Sequence, residues 1–225
     1  MDNFRQQWET YNQLAIKADS VPAEKKHLYP CIYDATSETV IDPTYFYQDT
    51  WAFEQILKNK PKQHYDIGSH HKFVAFLSKL VPVTMIDIRP LSLPLDSLLF
   101  KKGSITELPF DDCSIDSLSS LCVVEHIGLG RYGDPLDPKG SEKSLKELTR
   151  VLNKDGYLYL SVPVSDKDII AFNAGRIFHN DKLLSKLSQN FDIVKKDYIC
   201  GKELTNEFVP NDRFGTTILL TLKKI

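Results

Sequence analysis

The sequence lacks the features that mark membrane, disulfide-bonded and nucleic-acid-binding proteins. No segment approaches the run of about eighteen apolar residues that a membrane span needs. The four cysteines include no CxxC pair, which argues against a zinc site and a disulfide framework. The 28 Lys and Arg residues are balanced by 30 Asp and Glu residues, and they form no basic stripe. We therefore expect no membrane partner, no nucleic-acid partner and no bound metal.

The N-terminal segment "MDNFRQQWETY" contains acidic residues and no apolar run, so we do not expect a signal peptide. Together with the unpaired cysteines, this predicts a cytoplasmic protein with reduced thiols. The sequence does contain an ordinary globular composition, with 225 residues of which 42% are hydrophobic and 26% are charged. A chain of this kind can bury a sizeable core.

Strand and helix patterns alternate from Tyr65 onward. Helices are predicted at "HKFVAFLSKL", "SEKSLKELTRVL" and "NDKLLSKLSQN". Strands are predicted at 64–67, "VTMIDI", "SIDSLSSL" and "YLYLSV", the last stopped by Pro163, and then at "FDIVKKDYI" and "TTILLTLKK", which are close enough to pair. This order predicts an α/β fold with a doubly wound, mostly parallel sheet, an antiparallel edge strand and helices on both faces.

We expect residues 1–60 to form a helical and aromatic extension packed on the core formed by residues 61–225. Residues 4–18 have the pattern of an amphipathic helix, whereas residues 28–48 are rich in Tyr and Pro and are predicted to form a loop or extended arm. The segment "DTWAFEQILKNKP" then predicts a helix that Asp49 caps.

The stretch "HYDIGSHHKF" has the pattern of a strand, a turn at Gly68 and a helix, which in a doubly wound sheet forms a ligand-binding loop. Asp87 follows Gly68 by 19 residues, the usual spacing for an acid that binds ribose hydroxyls. The loop has one glycine where a pyrophosphate normally requires three, so an adenosine ligand without phosphates, such as S-adenosylmethionine, fits it better. The alternative is that Gly68 only shapes a turn and that Asp87 is a solvated acid.

The stretch from Lys102 to Val164 resembles class I S-adenosylmethionine-dependent methyltransferases. It contains "LPF", the pair Glu125-His126, "RVL" and Gly156 in the order and spacing of that family, and the match covers residues 62–164. The flanking stretches "YFYQDTWA", "HIGLGRYGDPLDP" and "FNAGRIF" resemble a bacterial branch whose substrates are uncharacterised. The resemblance implies a Rossmann-like, seven-stranded methyltransferase domain over residues 61–225.

The same resemblance implies S-adenosylmethionine as the cofactor and a small-molecule or glycan acceptor. It departs from the family pattern at His70 and His71, which follow the glycine loop, and at Ser104, which replaces the acid that often contacts the adenine amine. By position, the resemblance assigns the methionine end, the ribose and the adenine of the cofactor to Asp66, Gly68, Ser69, Asp87, Ile88, Ser104, Ile105 and Leu121.

Candidate catalytic groups follow the fourth strand. His126 could act as a general base, or it could be a structural residue of the Glu-His pair. The segment "GLGRYGDPLD" is long and polar, so Arg131, Tyr132 and Asp134 are candidates for acceptor binding, and Arg131 suggests an anionic acceptor. The alternative is a helix-entry loop in which the glycines only shape the backbone.

Two further groups of residues have structural explanations that compete with functional ones. His70 and His71 are expected to be polar loop residues rather than metal ligands, because no third ligand accompanies them. The aromatic residues Tyr45, Phe46, Tyr47 and Trp51 could form core or a lid over the cofactor. Two other functions compete with methyl transfer: a nicotinamide-dependent oxidoreductase, since an acid like Asp87 also binds NAD, and a catalytically silent binding protein of the same fold.

Overall fold

The computed structural model describes residues 2–89 and 91–225. The chain forms two compact units, of which the first ends at Ile41 and the second spans Asp42–Ile225. Helix α1 (Asp2–Lys17) dominates the first unit and confirms the helix predicted near the N-terminus. A short 3-10 turn, Lys25–His27, follows it.

Helix α2 (Pro43–Asn59) opens the second unit and begins earlier than the sequence predicted. Its N-cap is Asp42, whose carboxylate accepts the backbone N–H of Thr44 at 2.9 Å, and the proline at the first helical position is already in helical geometry. The prediction of a loop through residue 48 with Asp49 as the cap is therefore wrong for the last part of that range, because Asp49 lies inside the helix.

The second unit is built on one continuous sheet, which confirms the predicted fold class. Among the described residues, α2 is followed by the α-helices α3 (His71–Leu77), α4 (Gly140–Val151) and α5 (Asn180–Leu187), and by a 3-10 turn, Val124–His126. The strands are β1 (His64–Ile67), β2 (Val83–Asp87), β3 (Leu98–Lys102), β4 (Ile115–Leu121), β5 (Leu152–Ser165), β6 (Ile169–Ala171), β7 (Gly175–His179), β8 (Phe191–Cys200), β9 (Glu203–Thr205) and β10 (Thr216–Lys224).

The strand order is β3-β2-β1-β4-β5-β10-β8-β9. Strands β1 to β5 pair in parallel, β10 runs antiparallel between β5 and β8, and β9 adds an antiparallel edge. The first seven strands of this order correspond to the expected seven-stranded sheet. The hairpin β6–β7 is attached to the end of β5. Strand β3 was not predicted. Only one of its five residues is buried, so its sequence lacks the apolar run or the alternation that indicates a strand.

Helices cover both faces of the sheet, as predicted. Along β5, Leu158 and Leu160 belong to one buried cluster and Tyr159 to another, because successive side chains of a strand point to opposite faces. The cluster of Leu158 also contains Leu145 and Leu148 of α4, whereas the cluster of Tyr159 contains residues of α2 and α3.

Strand β5 runs through Pro163 instead of stopping there, so that boundary prediction is wrong. Its pairing with β4 ends at Ser161, and its pairing with β7 starts at Val164. Pro163 therefore has no strand partner on the side of β4 and β7, where its missing N–H costs no hydrogen bond. On the other side it is paired with Thr217 of β10.

Candidate active site

A cavity of about 750 Å³ opens at the carboxyl ends of β1, β2 and β4. The chain continues from β1 to β2 on one side, while β4 lies on the other, so this is the point where the strand order reverses. The volume falls in the range of small-molecule sites. Seven of the eight residues assigned to cofactor binding line it, namely Gly68, Ser69, Asp87, Ile88, Ser104, Ile105 and Leu121.

The loop after β1 brings backbone close to the cavity. Gly68 has a φ of +64°, and a Cβ atom there would lie 3.3 Å from Cγ1 of Val123 and 3.7 Å from Oδ2 of Asp87. A side chain would therefore strain the backbone and narrow the space between these two residues. The single glycine of the loop is needed at this position.

Ser69 ties the loop to two strands. Its backbone N–H donates to Oδ1 of Asp66 at 3.0 Å, and its hydroxyl oxygen accepts the backbone N–H of Leu121 at 3.1 Å. The ends of β1 and β4 are thereby held at a fixed spacing.

Asp66 lies beneath the loop rather than in the cavity. It is fully buried, its Oδ2 accepts the hydroxyl of Ser119, and His64 contacts that same hydroxyl at 2.9 Å. Burial raises the pKa of Asp66 to about 6. The expectation that Asp66 lines the methionine end is thus corrected: its carboxylate is occupied by Ser69 and Ser119, and it acts on the cavity by holding the loop.

Asp87 is the last residue of β2. One of its carboxylate oxygens is hydrogen-bonded to the protein, and the other lies near the loop after β1. Oδ1 accepts the backbone N–H of Arg89 at 2.8 Å and lies 3.7 Å from Nε of the same arginine. Oδ2 is the atom near Gly68, and the side chain is 15% exposed. Nearby, the Ser104 hydroxyl is paired with the hydroxyl of Thr106 at 2.8 Å, so its hydrogen-bonding capacity is used locally.

Three ionisable groups gather just beyond β4, and sequence reasoning had not named two of them as site residues. Cys122 lines the cavity, and burial raises the pKa of its thiol well above the ordinary value. Glu125 is 2% exposed, and burial raises its pKa to about 8. Its Oε1 lies 3.7 Å from Nε2 of His126, which also lines the cavity. For Cys122 the signal was its position after a buried strand, and for Glu125 it was also the Glu-His pair of the family resemblance.

His126 contacts the turn of the β6–β7 hairpin. Its Nδ1 lies 2.7 Å from the carbonyl oxygen of Ala174, and the Arg131 guanidinium donates to the same oxygen at 2.6 Å. Burial, and secondarily the charge of Arg131, lower the pKa of His126 to about 4. Arg131 is exposed and is not one of the cavity-lining residues, although sequence reasoning placed it there.

Tyr132 lines the cavity between two arginines. Its ring is edge-on to the ring of His126, with centroids 5.5 Å apart and an interplanar angle of 82°. The guanidinium carbons of Arg89 and Arg131 lie 4.3 and 5.1 Å from the ring centroid. The structure therefore brings together His126, Arg131 and Tyr132, the three residues that the sequence named as catalytic candidates.

The loop that carries these residues is shaped by Gly128 and Asp134. Gly128 has a φ of +81°, and a Cβ there would collide with the backbone of Asp137. The Asp134 carboxylate accepts the backbone N–H of Gly128 at 2.6 Å. The glycine and Asp134 thus shape the backbone of this loop, as the structural explanation expects, while Tyr132 reaches the cavity.

The aromatic residues of α2 divide between core and site. Trp51 is buried and donates from its ring N–H to Asp197 at 2.7 Å, whereas Tyr45 lines the cavity with its ring 5.1 Å from that of His70. Within residues 2–89 and 91–225, no group of three His, Cys, Asp or Glu side chains is placed to hold a metal ion. Nor is any helix in those ranges long and apolar enough to cross a membrane.

Comparisons with known proteins agree with this architecture. A family model described as "Caenorhabditis protein of unknown function, DUF268" matches residues 110–207, somewhat less than half of the chain. A search of curated proteins gives no match. The chain is similar in structure to the N-methyltransferase NodS from Bradyrhizobium japonicum, solved with S-adenosylhomocysteine, at a TM-score of 0.60 and 14% identity, over 99% of this chain and 98% of that one.

Two further structures show how widely this fold is used. The 1,6-didemethyltoxoflavin-N1-methyltransferase from Burkholderia thailandensis has a TM-score of 0.55 and 17% identity, over 88% of this chain and 99% of that one. The [4+2]-cyclase SpnF has a TM-score of 0.58 and 16% identity, over 97% and 95%. At these identities the likeness shows the fold of class I methyltransferases, and the reaction has to be argued from the site.

Glu125 generates a prediction about stability. The folded state keeps this proton up to about pH 8, whereas an unfolded glutamate loses it near its ordinary pKa of 4.5. The folded state therefore binds more protons in this window, and the free energy of unfolding falls as pH rises, by at most about 1.4 kcal/mol per pH unit. Glu125→Gln should remove this part of the slope, measured by urea unfolding at about pH 6.5 and pH 8.

Glu142→Gln, an exposed change on α4, is the matched control and should retain the slope of the unaltered protein. Equal slopes in the Glu125→Gln variant and the unaltered protein would show that Glu125 is ionised in the folded state at neutral pH.

Proposed function

We propose that this chain is an S-adenosylmethionine-dependent methyltransferase that acts on a small-molecule or glycan acceptor. The observation that carries the proposal is the pairing of Gly68 and Asp87 across one cavity. The glycine leaves open the space that a Cβ would fill, and Oδ2 of Asp87 faces that same space. A ribose in this space would donate hydrogen bonds from its hydroxyls to the carboxylate, and the rest of the nucleoside would extend toward β3.

The other lining residues fit the two ends of this cofactor. Ile88 and Ile105 offer apolar surface for the adenine, and Ser69 and Leu121 lie where the methionine part would extend toward β4. When bound, S-adenosylmethionine supplies a methyl group that is attached to a positively charged sulfur. After transfer of the methyl group, this sulfur is a neutral thioether. His126 and Tyr132 line the part of the cavity beyond β4, and we place the acceptor there.

The competing functions have less support. An NAD-dependent oxidoreductase could use Asp87, but the loop after β1 offers one glycine where a pyrophosphate normally requires three. A silent binding protein does not require ionisable side chains such as Glu125 and His126 beyond β4. The resemblance to a bacterial branch of the family and the cytoplasmic location stay predictions, as does the absence of a nucleic-acid partner.

The first test concerns the cofactor. In calorimetric titration of the whole chain, S-adenosylhomocysteine is expected to bind at a single site and NAD is expected not to bind. The physical reason is that Asp87 can bind the ribose of either ligand, whereas the loop after β1 has one glycine where a pyrophosphate normally requires three. Binding of NAD without binding of S-adenosylhomocysteine would favour the oxidoreductase and reject the methyltransferase.

The second test concerns Asp87 alone. Hydrogen bonds from ribose hydroxyls to a carboxylate contribute roughly 1.5–3 kcal/mol each, so Asp87→Asn should weaken S-adenosylhomocysteine binding by about tenfold or more. Asp111→Asn, a change of the same kind at an exposed position, is the control and should leave the affinity unaltered. If both variants bind equally well, the ribose does not lie on Asp87.

A further inference from the structure

We propose that the carbonyl of Ala174 fixes His126 as the tautomer protonated on Nδ1 and that the charge of Arg131 keeps the ring neutral, so that Nε2 takes a proton from a neutral N–H or O–H acceptor. Arg131 is then a positioning residue, not a ligand for an anionic acceptor. The inference rests on the proposed methyltransferase function and deepens it, because it names the protonation state of the base and the chemical class of the acceptor.

The carbonyl of Ala174 settles which nitrogen carries the proton. A carbonyl oxygen only accepts hydrogen bonds, so Nδ1 of His126, 2.7 Å away, must be the donor. Arg131 donates to the same oxygen at 2.6 Å. The Arg131 nitrogen also lies 3.3 Å from Nδ1, and the positive charge of Arg131 opposes a second proton on the ring. Nε2 is left with its lone pair.

Gly175 allows the hairpin to come this close. A Cβ atom at Gly175 would lie 3.2 Å from Nδ1 of His126 and 3.4 Å from Cγ of Glu125. Both distances are tight for a real side chain, so any larger residue would press on the Glu-His pair. The hairpin contacts His126 through a backbone carbonyl, so this contact does not depend on the conformation of a hairpin side chain.

The ionisable groups around His126 favour its neutral form. Arg131 opposes the imidazolium by charge, whereas Asp134 acts weakly in the other direction. Glu125 faces Nε2 from 3.7 Å, and its raised pKa keeps it uncharged at neutral pH, so it does not stabilise an imidazolium. The neighbouring Tyr132 contributes a ring edge. His126 therefore meets its substrate as a neutral base.

The cavity has few free cations for an acceptor anion. Lys143 lines it but pairs with Asp137 at 2.7 Å, and Arg89 lies over the Tyr132 ring. Arg131 directs one of its nitrogens at Ala174. These contacts argue against the anionic acceptor suggested by the sequence and favour an uncharged amine or hydroxyl compound.

Such an acceptor has a proton to lose. Its lone pair forms the new bond to the methyl carbon, while the electron pair of the broken carbon–sulfur bond stays on sulfur. Its proton passes to Nε2 of His126, and the positive charge moves from the sulfonium to the imidazolium. The imidazolium, next to the cationic Arg131, then releases the proton to water, which restores the neutral ring.

Long-range proton–nitrogen NMR on the ¹⁵N-histidine-labelled full chain tests the tautomer without an acceptor. The spectra are recorded with and without S-adenosylhomocysteine, and His126→Asn identifies the signal. We expect a protonated Nδ1 and an unprotonated Nε2 at neutral pH, with conversion to the charged ring near pH 4. In Arg131→Gln the midpoint should move to higher pH, while Nδ1 should stay protonated because the carbonyl of Ala174 still accepts its hydrogen bond. Arg131→Lys retains the charge and should keep the midpoint low.

Arg213→Gln removes a positive charge elsewhere on the surface and is the matched control. A His126 ring protonated on Nε2 in the unaltered protein would overturn the inference, and so would equal midpoints in Arg131→Gln and Arg213→Gln. Failure of S-adenosylhomocysteine to bind would instead contradict the proposed function, since the tautomer can be observed in the free protein.

Discussion

Ser69 joins the ends of two neighbouring parallel strands, and the geometry of the cavity depends on this junction. Its N–H is held by the buried Asp66 of β1, and its hydroxyl oxygen holds the N–H of Leu121 at the end of β4. Without these two bonds, the loop after β1 could move against β4. Both bonds are buried, where a hydrogen bond is electrostatically stronger than in water.

The two halves of the site are arranged around that junction. On one side, Gly68 and Asp87 leave a space bounded by backbone and a carboxylate oxygen, which suits a nucleoside. On the other side, Glu125 and His126 follow β4 closely, and the turn of the β6–β7 hairpin binds His126. A cofactor that crosses the junction would therefore bring its reactive end to His126, which is the alignment that methyl transfer requires.

The parts of the site that could be predicted from the sequence are those that depend on local spacing. A strand, a turn and a helix of ordinary length separate Gly68 from Asp87. Their spacing along the chain was therefore enough to predict that both lie at the same edge of the sheet. The helical pattern around Leu145 and Leu148 succeeded for the same reason. By contrast, β3 was missed because "LLFKK" has little burial contrast, and the start of α2 was missed because the capping role of Asp42 was given to Asp49.

The role of Arg131 could not be predicted, because its partner Ala174 is 43 residues away in the sequence. Burial of Glu125 and of Asp66 was equally hidden, since an acid next to a strand is exposed in most proteins. Both depend on which neighbours the sheet and the hairpin bring against them. Long-range contacts of this kind change the role that a residue can have. The sequence pattern suggests that Arg131 binds an anionic acceptor, whereas its contact with Ala174 favours a role in positioning His126.

A crystal structure of the whole chain with S-adenosylhomocysteine would show directly whether the cavity is a cofactor site. We expect the ribose hydroxyls to donate to Oδ2 of Asp87, the adenine to lie between Ile88 and Ile105, and the sulfur to point toward the end of β4. A ligand bound outside this cavity, or bound within it with its ribose away from Asp87, would rule out this cofactor site.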